Sequence, residues 1–246
     1  MTTAANGQRP EGGRALAFLA RLAARREARA IVVLGLLGAT FAALVFLLRT
    51  PELRHIDVAI TQALQRPRSP GLDRWAVEFT NAGGIVVGSV VFVVVAAVLL
   101  AKRRPRAAGL LLIALLAGHP VNLFLKSFFG RARPAASDLI QVILPSGGTS
   151  FPSGHAQAGA LFYGFVALLS WVLVRPVRLR LVLVLTLVAL VFLIGVSRVY
   201  VGGHWASDVL GGWTAGLFLL FVLAEVYRLV GKPELAPRNT KRKAAE

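Results

Sequence analysis

Long uncharged apolar runs alternate along the chain with short basic segments. A helix that crosses a bilayer needs about 20 such residues, with roughly 17 as a floor. Four runs meet that length: Ala30–Leu48, Gly83–Ala101, Ala107–Leu125 and Ala156–Val174. Two more, Leu181–Val196 and Val209–Ala224, reach it only by taking in Ser197–Tyr200 and Trp205–Asp208. Those additions carry Arg198, His204 and Asp208 to or near membrane depth, where ionisable groups are costly and mark function. The pattern predicts an all-α polytopic membrane protein with six transmembrane helices. Between the first two runs, Pro51–Asn81 mixes apolar and charged positions and predicts short interfacial helices in the first outer loop.

Three regions follow: a cytoplasmic N-terminal segment over 1–29, a six-span domain over 30–230, and a basic, disordered cytoplasmic tail over 231–246. The first run follows basic residues, as a signal peptide would. It is longer than a typical signal core, and no clear small-residue cleavage site comes after it, so a retained span is expected.

Composition agrees with the pattern. Hydrophobic residues make up 56% of the chain and charged residues only 16%, where a soluble domain carries about a quarter charged. The absence of cysteine excludes disulfides, iron–sulfur clusters and thiolate zinc sites. The net charge of +17 fits an anionic surface or substrate better than nucleic acid, because the basic residues cluster at the ends of apolar runs.

Their distribution sets an orientation. Nineteen of the 28 Lys and Arg fall in the N-terminal segment, in the loops Lys102–Arg106 and Arg175–Arg180, and in the C-terminal stretch from Arg228 onward. All of these lie on one side of a six-span chain, and the side rich in Lys and Arg is the cytoplasm. Of the nine on the other side, five are diluted by Glu52, Asp57, Asp73 and Glu78 in the first outer loop. The other four are Lys126, Arg131, Arg133 and Arg198.

Chemistry-bearing residues gather at Lys126–Pro134, Pro152–His155 and Ser197–Asp208. Following the chain back and forth across six spans brings all three clusters out at the face opposite the basic loops. Lys126, Arg131, Arg133 and Arg198 supply cations suited to phosphate oxygens. Ser153 and Gly154 stand where the fourth span begins, and helix N-termini present free N–H groups to anions. Gly202 and Gly203 break the chain before His204. His204 and Asp208 are spaced i, i+4, so that on a helix they share one face. A carboxylate on one ring nitrogen fixes the tautomer and leaves the other free to attack. His155, from another span, can protonate a leaving oxygen.

The segments Lys126-Ser-Phe-Phe-Gly-Arg-Ala-Arg133-Pro134, Pro152-Ser-Gly-His155 and Ser197-Arg-Val-Tyr-Val-Gly-Gly-His204-Trp-Ala-Ser-Asp208 resemble the type 2 phosphatidic acid phosphatase (PAP2) superfamily, in its integral membrane lipid phosphatase branch. Its pattern KxxxxxxRP, PSGH and SRxxxxxHxxxD is matched in order. The resemblance implies Lys126, Arg133 and Arg198 as phosphate ligands assisted by Ser153 and Gly154, His155 as general acid, His204 as nucleophile, and Asp208 as its partner. Arg131 lies outside the pattern and is expected as a further phosphate contact. The resemblance also implies a lipid phosphate or pyrophosphate substrate and neither metal nor other cofactor.

The expected activity is hydrolysis at the extracytoplasmic face of a bacterial-type inner membrane through a phosphohistidine. Undecaprenyl diphosphate is the first substrate candidate, followed by phosphatidylglycerophosphate and phosphatidic acid. One alternative is a phosphotransferase of the same family that passes the phosphate to a second lipid. Another, of a different class, is a non-enzymatic lipid transporter or scramblase. Binding alone needs neither a nucleophile nor an acid, which disfavours the last. The oligomeric state is not legible: Gly84–Gly88 and Gly212–Gly216 fit GxxxG, but in membrane spans that spacing reports close helix packing before it reports a dimer. His119 is read first as a packed or water-bonded residue at a kink before Pro120, with a place in a lipid cavity as the alternative, and His55 as solvated.

Overall fold

The computed structural model describes residues 11–230, so the basic tail expected over 231–246 lies outside the described residues. Eight α-helices occur in this range: α1 (Glu11–Leu47), α2 (Pro51–Gln65), α3 (Pro70–Ala82), α4 (Ile85–Ala101), α5 (Pro105–Phe129), α6 (Gly154–Leu173), α7 (Val177–Tyr200) and α8 (Ala206–Val230). One 3-10 turn, Ala136–Asp138, interrupts the long loop between α5 and α6. No strand occurs among the described residues.

Five helices (α1, α5, α6, α7 and α8) are long and apolar enough to cross a bilayer. The sixth candidate is the bent pair of α3 and the 17-residue α4, which meet at 57° across Gly83–Gly84 and count together as one span. The six apolar runs therefore each become a helix, and the mixed segment after the first becomes α2 and α3. Each of these two starts at a proline and is capped by a hydroxyl, Thr50 Oγ1 accepting from Leu53 N and Ser69 Oγ from Leu72 N. Proline at the first helical position lacks only an N–H that would have had no helical partner.

The centre of the bundle is α6, against which α5, α7 and α8 pack. Its buried residues Leu161, Phe162, Phe165 and Leu169 join Leu111 and Ala114 of α5, Ile194 of α7 and Leu223 of α8 in one core. The outward faces of α4 and α7 are apolar and exposed, as at Val86, Val90 and Val94, and at Val182, Leu185 and Val188. Such faces suit a hydrocarbon surround.

Gly212 and Gly216 set the approach of α8 to α6. A Cβ at Gly216 would lie 2.5 Å from the Gln157 carbonyl oxygen and 2.8 Å from Ala160 Cβ. One at Gly212 would lie 2.5 Å from the Ser153 oxygen. The small-residue spacing thus serves packing within the chain. Gly216→Ala is expected to cost about 1–3 kcal/mol through overpacking, read as a lower melting temperature of the detergent-solubilised protein.

Candidate active site

Five elements meet at one end of the bundle around a cavity of about 1520 Å³. Lys126 from the last turn of α5, Arg133 from the loop after it, Gly154 and His155 from the start of α6, Arg198 from the end of α7 and His204 before α8 all line it. The cavity continues between α4, α5 and α6 along Ile85, Val86, Val87, Leu115, Leu116 and Leu123. A polar head with a long apolar tail fits this shape. His119 also lines it, which matches the cavity alternative and not the packed position at a kink. His55 is exposed, as expected.

The turn that carries His204 is built by two glycines. Gly202 adopts φ +70°, a left-handed conformation that side chains disfavour. A Cβ there would meet the Gln141 carbonyl, and one at Gly203 would strike the Arg198 guanidinium. His204 precedes α8, which begins at Ala206. The shared helix face expected for His204 and Asp208 is therefore not how they meet. Asp208 sits in the first turn and reaches back, its Oδ2 accepting from Trp205 N at 2.9 Å. This reach-back fits an acidic side chain in a helix's first turn, where free N–H groups and the dipole attract it. The same oxygen lies 3.4 Å from His204 Nδ1. Trp205, fully buried, pins the turn by donating from Nε1 to the Ala132 carbonyl at 3.0 Å.

Asp208, itself fully buried, also accepts from Ser150 Oγ and, at 2.6 Å on Oδ1, from Arg131. Arg133 NH1 stands 3.0 Å from His204 Nε2. An arginine can only donate, so this contact assigns the lone pair to Nε2 and the proton to Nδ1, on the Asp208 side. Burial pushes the His204 imidazole from 6.5 down to about 4; the hydrogen bond and charge of Asp208 oppose that shift, and Arg198 and Arg133 add to it. The ring is therefore neutral near pH 7.

The cations are held by loop oxygens. Arg133 donates to the carbonyls of Gly147, Gly148 and Thr149 at 3.1 Å and of Gly203 at 2.6 Å. Lys126 Nζ donates to the Thr149 carbonyl, and Arg198 NH2 to Ser146 Oγ at 3.2 Å. Arg198 is 3% exposed, yet its Nε has no partner among the described residues, and neither does the buried Ser153 Oγ. Buried donors left unmet are costly, so a site with two of them has capacity for an anionic ligand. The α6 N-terminus carries no side-chain cap and adds free N–H groups at Gly154 and His155. The bend at Gly83–Gly84 makes room for His155, since a Cβ at Gly83 would come within 3.3 Å of its ring.

One expected residue is placed elsewhere. Arg131 does not line the cavity. It lies behind His204, bridging Asp208 Oδ1 at 2.6 Å and Asp57 Oδ2 at 2.7 Å. Two buried carboxylates attract a guanidinium more strongly than an open cavity does, so Arg131 is a structural bridge and not a phosphate contact. Four contributors escaped the sequence reading: Ser150, Ser146, the 147–149 carbonyls, and the pair Asn122–Gln157. Asn122 Nδ2 donates to Gln157 Oε1 at 3.0 Å and to the Pro152 carbonyl at 3.2 Å, tying α5 to the start of α6. Asn122 alone carried a signal, lying one turn before Lys126 on the same helical face.

A model of the PAP2 superfamily matches residues 106–231. The chain belongs to the PAP2 superfamily. Phosphatidylglycerophosphatase B of Bacillus subtilis (strain 168) is 29% identical over 181 residues, covering 72% of this chain and 85% of the relative. The crystal structure of the first transmembrane PAP2 type phosphatidylglycerolphosphate phosphatase from Bacillus subtilis superposes with a TM-score of 0.73 at 26% identity, covering 80% of this chain and 96% of that one. Aquifex aeolicus LpxE shares the fold, with a TM-score of 0.54 at 23% identity over 68% of this chain and 93% of its own. This PAP2 chain is a membrane lipid phosphatase.

Proposed function

We propose that the chain hydrolyses a lipid phosphate at the extracytoplasmic face through a phosphohistidine on His204. What supports this most is the tautomer: His204 Nε2 turns its lone pair toward Arg133 in a cavity shared with Lys126, Arg198 and His155. In the first step Nε2 attacks phosphorus, the N–P bond forms, and the P–O bond to the lipid breaks. The departing oxygen takes a proton from His155. In the second step His155 accepts a proton from water as its oxygen attacks phosphorus. The N–P bond breaks, its electron pair returns to Nε2, and inorganic phosphate leaves. Lys126, Arg133 and Arg198, with Ser153 and Gly154 at the α6 N-terminus, hold the equatorial oxygens, where charge gathers in the transition state. Arg133 NH1 turns from Nε2 to a phosphate oxygen as substrate enters.

The phosphatidylglycerophosphatase relatives move phosphatidylglycerophosphate ahead of undecaprenyl diphosphate, with phosphatidic acid third. The basic loops 102–106 and 175–180 support cytoplasmic placement of the bundle end opposite the cavity, and with it both termini. We read 30–230 as the phosphatase unit.

The test is phosphate release by purified protein from a panel of glycerolipid and prenyl phosphates in detergent micelles, with and without chelator. Release from phosphatidylglycerophosphate, unaffected by chelator, is expected. Phosphate recovered only on a second lipid would reject hydrolysis, and strict dependence on added divalent metal would reject the role given to Lys and Arg.

A bell-shaped pH profile is a further expectation, because His204 must attack neutral while His155 must begin protonated. Activity is lost as pH falls through the His204 value, so the acid limb of kcat/KM should lie near 4 and not near 6.5. It is lost again in kcat as pH rises and His155, which the bound phosphate anion holds protonated, gives up its proton. A profile flat across the histidine range would overturn these roles.

A further inference from the structure

Helix α2 turns its polar face inward. Arg54, Asp57, Thr61 and Gln65 follow one helical stripe, while Ile56 and Ile60 are exposed on the other side. Arg54 bonds Asp138 at 2.5 Å and lies 4.3 Å above the Trp205 ring. Gln65 donates to the Tyr200 carbonyl at 2.6 Å. Asp57 is the most deeply committed of the set. It is 1% exposed, and its two oxygens accept three bonds: Oδ1 from Ser207 N at 2.9 Å, and Oδ2 from Ser207 Oγ at 2.5 Å and Arg131 NH2 at 2.7 Å.

We propose that Asp57 is a positioning residue for His204, acting through Arg131 and Ser207 on Asp208. The inference rests on the reading of His204 as nucleophile. Two physical effects support it. First, Asp57 accepts a free N–H of the first turn of α8, a favourable place for negative charge. That fixes the turn that carries Asp208 and, directly before it, His204. Second, Asp57 shares Arg131 with Asp208. Arg131 NH1 holds Asp208 at 2.6 Å while NH2 holds Asp57. Asp57, Arg131 and Asp208 together carry one net negative charge. Without Asp57 the guanidinium would neutralise Asp208 alone. Asp208 would then offer less to the positive charge that grows on the His204 ring as Nε2 bonds phosphorus. Asp57 never touches the cavity, so its influence should appear in kcat and not in substrate binding.

Full-length protein in detergent micelles is assayed as Asp57→Asn, Arg131→Met and the double variant, beside His204→Ala. For Asp57→Asn, kcat should fall by about tenfold or more, the scale of lost outer-shell support, with KM within about twofold. Arg131→Met leaves two buried carboxylates unneutralised and should lose more. Adding Asp57→Asn to it restores one net negative charge and should recover kcat at least about threefold over Arg131→Met, a rescue that additive structural damage does not give. Wild-type kcat in Asp57→Asn, or a double variant no better than Arg131→Met, overturns the proposal. Should Asp57→Asn alone fail to fold, the double variant read against Arg131→Met decides, because that comparison also removes the Asp57 charge. Turnover retained by His204→Ala would instead defeat the nucleophile reading itself, whatever happens at position 57.

Discussion

His204→Ala is expected to lower phosphate release by at least about four orders of magnitude, as loss of a nucleophile does elsewhere, while the protein still folds and inserts. The rate effect follows from chemistry, since among the described residues His204 alone presents an unprotonated nitrogen to the cavity with a carboxylate behind it. The survival of the fold follows from the partners left over. Asp208 keeps Arg131, Ser150 and Trp205 N, and Arg133 keeps four loop carbonyls. The backbone bond from His204 N to the Arg198 carbonyl at 3.1 Å does not depend on the ring. Two measurements check it together: melting temperature within a few degrees of wild type, and an acid-labile phosphoenzyme that forms from labelled substrate in wild type and is absent in the variant. Turnover comparable to wild type would end the phosphohistidine mechanism.

Asp208→Asn should be nearly as damaging, for a different reason. The asparagine keeps the shape but has one acceptor oxygen where the carboxylate has two. As a carboxylate, Asp208 takes bonds from Arg131 on one oxygen and from Ser150 and Trp205 N on the other, and it faces His204 Nδ1. Whichever way the amide turns, its N–H₂ group meets a donor, either the Arg131 guanidinium or the Trp205 N–H. The tautomer of His204 then loses its support, and kcat should drop by about 10³–10⁴, the scale set when such an aspartate is neutralised. Stability should fall as well, by about 1–3 kcal/mol for a buried donor left unmet. Arg131 retains Asp57, which limits the loss. Steady-state kinetics and thermal unfolding in detergent separate the two effects. A kcat within tenfold of wild type would show that Asp208 does not orient His204.

Much of this architecture was legible before any coordinates. Residues such as Val86, Val94 and Leu185 are apolar because their surroundings are, so spans can be read residue by residue from hydropathy. The meeting of Lys126, His155, Arg198 and His204 at one end of the bundle was legible too, because each crossing reverses direction. Where reading by spacing failed, it failed on conformation and partner choice. His204 and Asp208 do stand four apart, but the chain enters α8 only at Ala206, so a first-turn reach-back replaces a shared helix face.

Asp57 and Arg131 mark the limit most clearly. In sequence Asp57 looked like a charge diluting a basic outer loop, and Arg131 like one more cation near a phosphate motif. In the fold Asp57 is buried against Ser207, 150 residues away, and Arg131 joins it to Asp208. What the sequence by itself determined is whatever the bilayer and the local backbone dictate: the six crossings, the polar face they share, and the residue types gathered there. Tertiary structure alone decided which carboxylate each arginine holds. A charge is the same letter whether solvated or buried, and its partner depends on distances through space that residue spacing does not encode.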